Sequence, residues 1–175
     1  LDFELEIAIV IGKKGKNISV SNADKYILGY MLMNDWSARS IQMEEMKLNL
    51  GPAQGKDFAT SLGPFLLTRD ELKDYLISSS NGEKYDLEMS CTINGIEVSK
   101  DNMKNMTWTF AQIIERISYG TTIYPGDVIG SGTCATGCFL ELNFNKKDPQ
   151  WLTDGDVVEL SATKLGKLKN TISKI

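Results

Sequence analysis

Two glutamates near the start of the chain, Glu4 and Glu6, have the spacing of a pair that shares one face of a strand. The surrounding sequence, LDFELEIAIV, is largely apolar and predicts a β-strand, in which side chains two residues apart point to the same side. Two ionised carboxylates held that close repel each other unless a cation lies between them. The pair therefore predicts a site for a hard divalent cation. The alternative is the solvated face of an edge strand, where alternating glutamates are common.

A second group of polar residues follows the apolar residues 30–33 directly. Asp35, Arg39 and Gln42 supply an acid, a cation and an amide after this predicted buried strand. Polar side chains at the end of a buried strand are usual at binding and catalytic sites. We interpret them as candidate site residues, and the alternative is a helix N-cap formed by Asp35 or Ser37 with a surface arginine.

Two further charged residues stand in contexts that allow a catalytic or a surface role. Lys56 lies in a loop predicted from the glycines and prolines of residues 51–64, where it can contact an anionic substrate or face solvent. Glu141 lies in the apolar run 138–142, which predicts a strand. A glutamate buried there needs a raised pKa or a partner. Strand alternation alone also allows Glu141 to face outward.

The composition is that of a globular protein and argues against several classes. The 175 residues carry a net charge of -4 without a basic stripe, which argues against nucleic-acid binding. No apolar run reaches the roughly 18 residues of a membrane span, and the start shows no secretion signal. The odd number of cysteines, three, indicates a reducing compartment, so we expect a cytoplasmic protein.

The chain contains no histidine, which limits its own catalytic groups. Ser–His and Cys–His pairs are excluded within this chain, and any general acid or base must be a carboxylate, lysine, tyrosine or cysteine. The first residues already belong to an apolar strand without a polar lead-in. We therefore expect a segment upstream of Leu1.

The predicted elements describe a β-rich α+β protein with a few short helices. Asn94 and Gly95, between two runs of strand-forming residues, are the strongest short hairpin signal. Thr107 is predicted to cap a helix over residues 108–118, whose apolar positions recur at helical spacing. No repeat or linker divides the sequence, so we predict one domain over residues 1–175.

Five motifs in a fixed order resemble those of the fumarylacetoacetate hydrolase superfamily, especially its bacterial and archaeal members. They are LDFELEIA, MLMNDWSARSIQ, LGPAQGKDF, YPGDVIGSGT and TDGDVVEL, and together they run over nearly the whole chain. The resemblance implies a mixed β-roll of the family's C-terminal-domain type. It also implies a homodimer that acts on small keto acids.

The same resemblance implies roles for individual residues. It implies that Glu4, Glu6 and Asp35 bind a divalent ion, which in this family is Mg²⁺, Mn²⁺ or Ca²⁺. The remaining matches are Arg39, Gln42 and Thr133 for contacts to substrate, Lys56 and Glu141 for catalysis, and Thr60 beside the lysine.

The reaction implied by the resemblance is metal-dependent hydrolysis of a carbon–carbon bond in a 1,3-diketo acid, of the fumarylacetoacetate or acylpyruvate type. Hydrolases of this family activate water with a histidine paired to an acid, and this chain contains no histidine. Two alternatives therefore stay open. One is a metal-dependent lyase or isomerase of the same superfamily, such as a 2-keto-acid dehydratase, hydratase or decarboxylase. The other is a non-catalytic binding module.

Overall fold

Two four-stranded antiparallel sheets form the framework of the fold, which the computed structural model describes over residues 1–49, 51–77 and 80–174. Leu50, the first residue of the third motif, lies outside the described residues. The first sheet contains, from edge to edge, β10 (Val128–Gly130), β1 (Leu5–Ile11), β3 (Ile27–Asp35) and β4 (Thr60–Thr68). The second contains β12 (Gly166–Thr171), β11 (Val157–Ala162), β7 (Glu88–Ile93) and β8 (Ile96–Asn102).

Short elements connect and flank these sheets. Two small strand pairs are β2 (Gly15–Lys16) with β9 (Thr122–Ile123), and β5 (Leu76–Ile77) with β6 (Lys84–Tyr85). The helices are α1 (Val20–Ala23), α2 (Arg39–Met46), α3 (Gln54–Asp57), α4 (Phe110–Ser118) and α5 (Phe139–Leu142). None of the described helices has the length and apolar character needed to cross a membrane. The predicted β-rich α+β class is confirmed.

The two sheets pack against each other around a common hydrophobic core. β12 lies against β4, and β7 lies against β1. Leu5, Ile7 and Ile9 of β1 point into this core and are completely buried. Because strand side chains alternate, the residues between them face the other side of the sheet, and Glu6 belongs to that other set.

The register of the first sheet gathers four chain segments at one end. In the antiparallel pairing of β1 with β3, Leu5 lies opposite Asn34 and Ile9 opposite Tyr30. Asp35 of β3 pairs in turn with Thr60 of β4. The start of β1 therefore lies beside the end of β3, the start of β4 and the end of β10. Residues that sequence separates by more than a hundred positions meet there.

The predicted hairpin is confirmed between β7 and β8, where Ile93 pairs with Ile96. Asn94 and Gly95 have φ angles of 53° and 81°. Positive φ at both central residues is the requirement of a type I′ turn, whose twist matches that of the flanking strands.

The strand predicted over residues 138–142 is wrong, because this segment forms the short helix α5. The side chain of Asp2 accepts hydrogen bonds from the backbone N–H groups of Phe139 at 2.8 Å and Leu140 at 3.0 Å. These are first-turn amides, which a helix cannot satisfy internally. A partner 137 residues away thus favours helix where the apolar run alone is ambiguous.

The helix predicted over residues 108–118 is present as α4, but its N-cap is Thr109 and the prediction of Thr107 is wrong. Thr109 Oγ1 accepts the N–H of Gln112 at 3.2 Å, and the Gln112 side chain accepts the N–H of Thr109 at 3.0 Å. This reciprocal pair is a capping box, which satisfies two amides at the start of the helix.

Thr109→Ala is expected to lower the free energy of unfolding by about 1–2 kcal/mol, because it removes the cap of α4. Thr107→Ala is the matched control, since Thr107 is exposed and lies outside the helix. We expect it to change stability by less than about 0.5 kcal/mol. Urea unfolding of the two variants measures the difference, and equal losses would contradict the assignment of the cap.

Candidate metal centre

The carboxylates of Glu4, Glu6 and Asp35 converge at the end of the first sheet. Each residue offers an oxygen, and the three oxygens lie within 4.8 Å of one another. The antiparallel register between β1 and β3 produces this arrangement, because it brings the start of one strand beside the end of the other. Carboxylate oxygens are the ligands that Mg²⁺, Mn²⁺ and Ca²⁺ prefer. The chemistry of this donor set therefore fits a hard divalent cation.

Glu6 is the most deeply buried of the three, with 3% of its surface exposed. Burial, together with the negative charges of Glu4 and Asp35, raises the pKa of Glu6 to about 8. The N–H of Gly132 donates to Glu6 Oε2 at 3.0 Å and partly opposes that rise. Gly130 leaves room for the carboxylate, since a Cβ there would lie 2.5 Å from Oε2. An ionised Glu6 therefore needs a nearby cation.

Lys56, which α3 carries to the cluster, lies between two of the three carboxylates. Its Nζ is 2.8 Å from Glu4 Oε2 and 2.8 Å from Asp35 Oδ2, and it donates to Ser37 Oγ at 2.6 Å. Burial raises the pKa of Glu4, but Lys56 and then Arg39 lower it more, so the net pKa lies below its usual value. For Asp35 burial is the largest effect, and its pKa stays raised despite Lys56.

Arg39 joins the cluster to a second buried carboxylate, that of Asp2. Its Nε and Nη2 lie 2.8 Å and 2.7 Å from Asp2 Oδ2, and Nη2 lies 2.9 Å from Glu4 Oε1. Its Nη1 donates to Gln42 Oε1 at 2.9 Å. Burial by itself lowers the pKa of Arg39, but Asp2 and Glu4 raise it, so the guanidinium stays charged.

Glu45, which sequence reasoning missed, holds the segment that carries Lys56. Its carboxylate accepts the N–H groups of Ala53, Gln54 and Gly55 at 2.8, 2.7 and 3.1 Å. These hydrogen bonds, that from Ala53 first, lower the pKa of Glu45. The sequence around Glu45 gives no signal for this role, because the three amides lie at the start of α3, whose position relative to Glu45 depends on the folded chain.

The segment between β10 and α5 contains the two remaining predicted site residues. Thr133 is half-buried and directly follows Gly132, whose N–H binds Glu6. Glu141 is exposed, and its carboxylate accepts the N–H of Thr136 at 2.6 Å. Both assigned roles stay predictions. Of the predicted residues, Arg39, Gln42 and Lys56 contact the cluster or one another, whereas Glu141 is hydrogen-bonded to its own loop.

Metal affinity is expected to rise with pH up to about 8, by about tenfold per pH unit, because Glu6 must release one proton before it binds a cation. The metal-free protein should show the opposite trend. A pKa raised from 4.5 to about 8 contributes stability that is present below pH 4.5 and is lost as the pH rises towards 8. Calorimetric titration with Mn²⁺ at several pH values measures the first trend, and an affinity that does not change with pH would contradict it.

Known proteins are similar to this chain in both sequence and fold. Residues 1–173 match the family described as Fumarylacetoacetate (FAA) hydrolase C-terminal. Fumarylacetoacetase of Oryza sativa subsp. japonica is 34% identical over 93% of this chain and 46% of its own length. The mitochondrial oxaloacetate tautomerase Fahd2a of Rattus norvegicus is 35% identical over 98% of this chain and 50% of its own. The solved fumarylacetoacetate hydrolase of Exiguobacterium antarcticum has a TM-score of 0.80 and 30% identity, covering 99% of this chain and 56% of that one. The chain thus spans about half the length of the curated relatives it matches.

Proposed function

The chain belongs to the fumarylacetoacetate hydrolase family, and from this premise we propose that it is a divalent-metal-dependent enzyme that hydrolyses a carbon–carbon bond in a 1,3-diketo acid. Members of the family are enzymes, among them hydrolases and isomerases, and they generally depend on a divalent metal ion. The observation that carries the proposal is the convergence of three carboxylates beside Lys56. The proposed ion is Mg²⁺, with Mn²⁺ or Ca²⁺ as substitutes.

The proposed ligands are Glu4, Glu6 and Asp35, which together offer three negative charges to a doubly charged ion. When bound, such an ion polarises the two carbonyl oxygens of the substrate as a Lewis acid. Lys56 stabilises the negative charge that develops on the substrate oxygen, because its ammonium group lies at the edge of the cluster. Arg39 and Thr133 bind the substrate's carboxylate, and Gln42 makes a further contact to the substrate.

In the proposed reaction, the oxygen of a water molecule bonds to the carbonyl carbon farther from the substrate's carboxylate. The bond from that carbon to the neighbouring CH₂ group then breaks, and its electron pair remains with the CH₂ group as an enolate. The enolate takes up a proton and becomes the methyl group of a 2-keto acid, while the other fragment leaves as a carboxylic acid. Glu141 is this chain's candidate for accepting the proton of the water.

A second candidate function is isomerisation of a keto acid through the same enolate. The position of Glu141 favours isomerisation over hydrolysis. This carboxylate, the candidate base for water, is exposed and already accepts a hydrogen bond from Thr136. Keto–enol exchange moves a proton between carbon and oxygen and needs no attacking water. Lys56 and the three carboxylates suffice for that step, and the rat relative is named as an oxaloacetate tautomerase.

The two functions are separated by following both reactions of the full-length protein with Mg²⁺ or Mn²⁺. Release of acetate and pyruvate from acetylpyruvate, detected by NMR, supports the hydrolase. Keto–enol exchange of oxaloacetate without fragment release supports the isomerase. Glu141→Gln should lower hydrolysis at least about 100-fold and leave isomerisation unchanged, because only hydrolysis needs a base for water. Full turnover in the presence of EDTA would overturn both.

The homodimer and the cytoplasmic location stay predictions. Sedimentation of the full-length protein measures the number of subunits directly. A monomer at micromolar concentration would contradict the predicted homodimer.

A further inference from the structure

Asp2 is a fully buried carboxylate that stands outside the cluster of Glu4, Glu6 and Asp35. Its Oδ2 lies 2.8 Å from Arg39 Nε and 2.7 Å from Arg39 Nη2. The same Nη2 lies 2.9 Å from Glu4 Oε1. One guanidinium group therefore connects a buried acid to a candidate metal ligand.

The guanidinium of Arg39 and a divalent cation attract the same carboxylate. A positive charge beside Glu4 weakens the binding of a cation to that residue, unless another negative charge balances it. Asp2 supplies this balance, because two nitrogens of Arg39 contact it whereas one contacts Glu4. Asp2 thus fixes the guanidinium beside Glu4 and balances its charge.

Asp2 is itself fixed by two separate segments of the chain. Its Oδ1 accepts the N–H of Phe139 at 2.8 Å, and its Oδ2 accepts the N–H of Leu140 at 3.0 Å. Its backbone exchanges two hydrogen bonds with Ser37, at 2.9 and 3.1 Å. With both oxygens bonded and no surface exposed, the carboxylate has a single position from which to hold Arg39.

We propose that Asp2 is a positioning residue for metal binding: by neutralising and orienting Arg39, it limits how strongly the guanidinium competes with the divalent ion for Glu4. The proposal rests on the metal centre of the proposed function. Asp2→Asn removes the negative charge that balances Arg39, so the attraction between the guanidinium and Glu4 becomes stronger. The affinity for the ion then falls because Arg39 competes for Glu4, although the three ligand residues themselves are unchanged.

The test is calorimetric titration of the full-length protein with Mn²⁺, which needs no substrate. Asp2→Asn is expected to raise the dissociation constant about tenfold, the usual effect of changing a partner of a metal ligand. The double substitution Asp2→Asn with Arg39→Gln removes both charges and is expected to restore the constant to within about threefold of the wild type. Glu83→Gln is the matched control, because Glu83 pairs with Arg69 away from the cluster. Its constant should stay unchanged.

Each outcome supports or overturns the proposal. A dissociation constant for Asp2→Asn within twofold of the wild type overturns it, as does a double variant that binds as weakly as Asp2→Asn alone. Should Asp2→Asn not fold, the double variant decides: affinity near that of the wild type supports the proposal, and a tenfold loss overturns it. A wild-type protein that binds no Mn²⁺ overturns the proposed function as well, so the two failures are distinguishable.

Discussion

Glu6→Gln is expected to weaken Mn²⁺ binding at least about 100-fold, the upper end of the effect of changing a partner outside the ligand set. Glutamine keeps the size of the side chain and still accepts the hydrogen bond from Gly132, but it lacks the negative charge that attracts the ion. Among the described residues no lysine or arginine forms an ion pair with Glu6, so the substitution breaks no salt bridge. Turnover should fall in parallel with metal occupancy.

Glu6→Gln should leave the fold intact and raise the stability of the metal-free protein. In the metal-free protein at pH 8.5 we expect Glu6→Gln to be more stable than the wild type, because the neutral amide avoids the cost of a buried charge beside Glu4 and Asp35. Isothermal titration measures the affinity, and urea unfolding in EDTA measures the stability. Glu88→Gln, on the exposed face of β7, is the control for losing one glutamate. Unchanged Mn²⁺ affinity in Glu6→Gln would contradict the assignment of the metal centre.

Lys56→Met is expected to make the stability of the protein depend on metal. Its ammonium is the cation that balances Glu4 and Asp35 in the metal-free protein, and the three side chains are 15, 12 and 22% exposed. Removing one partner of a fully buried pair costs 3–5 kcal/mol, and the partial exposure reduces the expected loss to about 2 kcal/mol. Because Mn²⁺ supplies the missing positive charge, it should raise the melting temperature of the variant more than that of the wild type.

The same substitution should lower turnover about 100- to 1,000-fold at saturating metal, because it removes a charge that stabilises the developing oxyanion. Lys104→Met is the matched control, since Lys104 pairs with Asp86 at an exposed site and its loss should leave stability nearly unchanged. Differential scanning fluorimetry with and without Mn²⁺ compares the two variants. An equal shift on metal addition in Lys56→Met and the wild type would show that Lys56 does not balance the cluster.

The part of the site that the sequence predicts is the part that local periodicity encodes. Glu6 lies in β1 and Glu4 directly before it, two residues apart as on one face of a strand, and Asp35 ends the next apolar run. The type I′ hairpin follows in the same way from Asn94 and Gly95, whose conformational preferences require no tertiary information. The family resemblance added Lys56, which the structure brings against the cluster.

The part that the sequence does not predict depends on contacts between distant segments. Asp2 stands next to the glutamate pair, and the sequence alone predicts only a polar residue at the start of a strand. Its burial depends on Arg39, 37 residues further on, and on the amides of α5, 137 and 138 residues further on. The failure of the strand prediction for residues 138–142 has the same cause. Glu45 likewise acquires its role only because the fold places the start of α3 against it.

The pairing of Leu5 with Asn34 also has a consequence for how the sheet assembles. Sliding β1 by one residue along β3 would turn both glutamates inward and expose Leu5 and Ile7 in their place. Such a misaligned intermediate cannot coordinate an ion with the three carboxylates. A divalent cation added during refolding is thus expected to favour the native register of β1 and β3, since it binds and stabilises only the arrangement in which the three carboxylates meet.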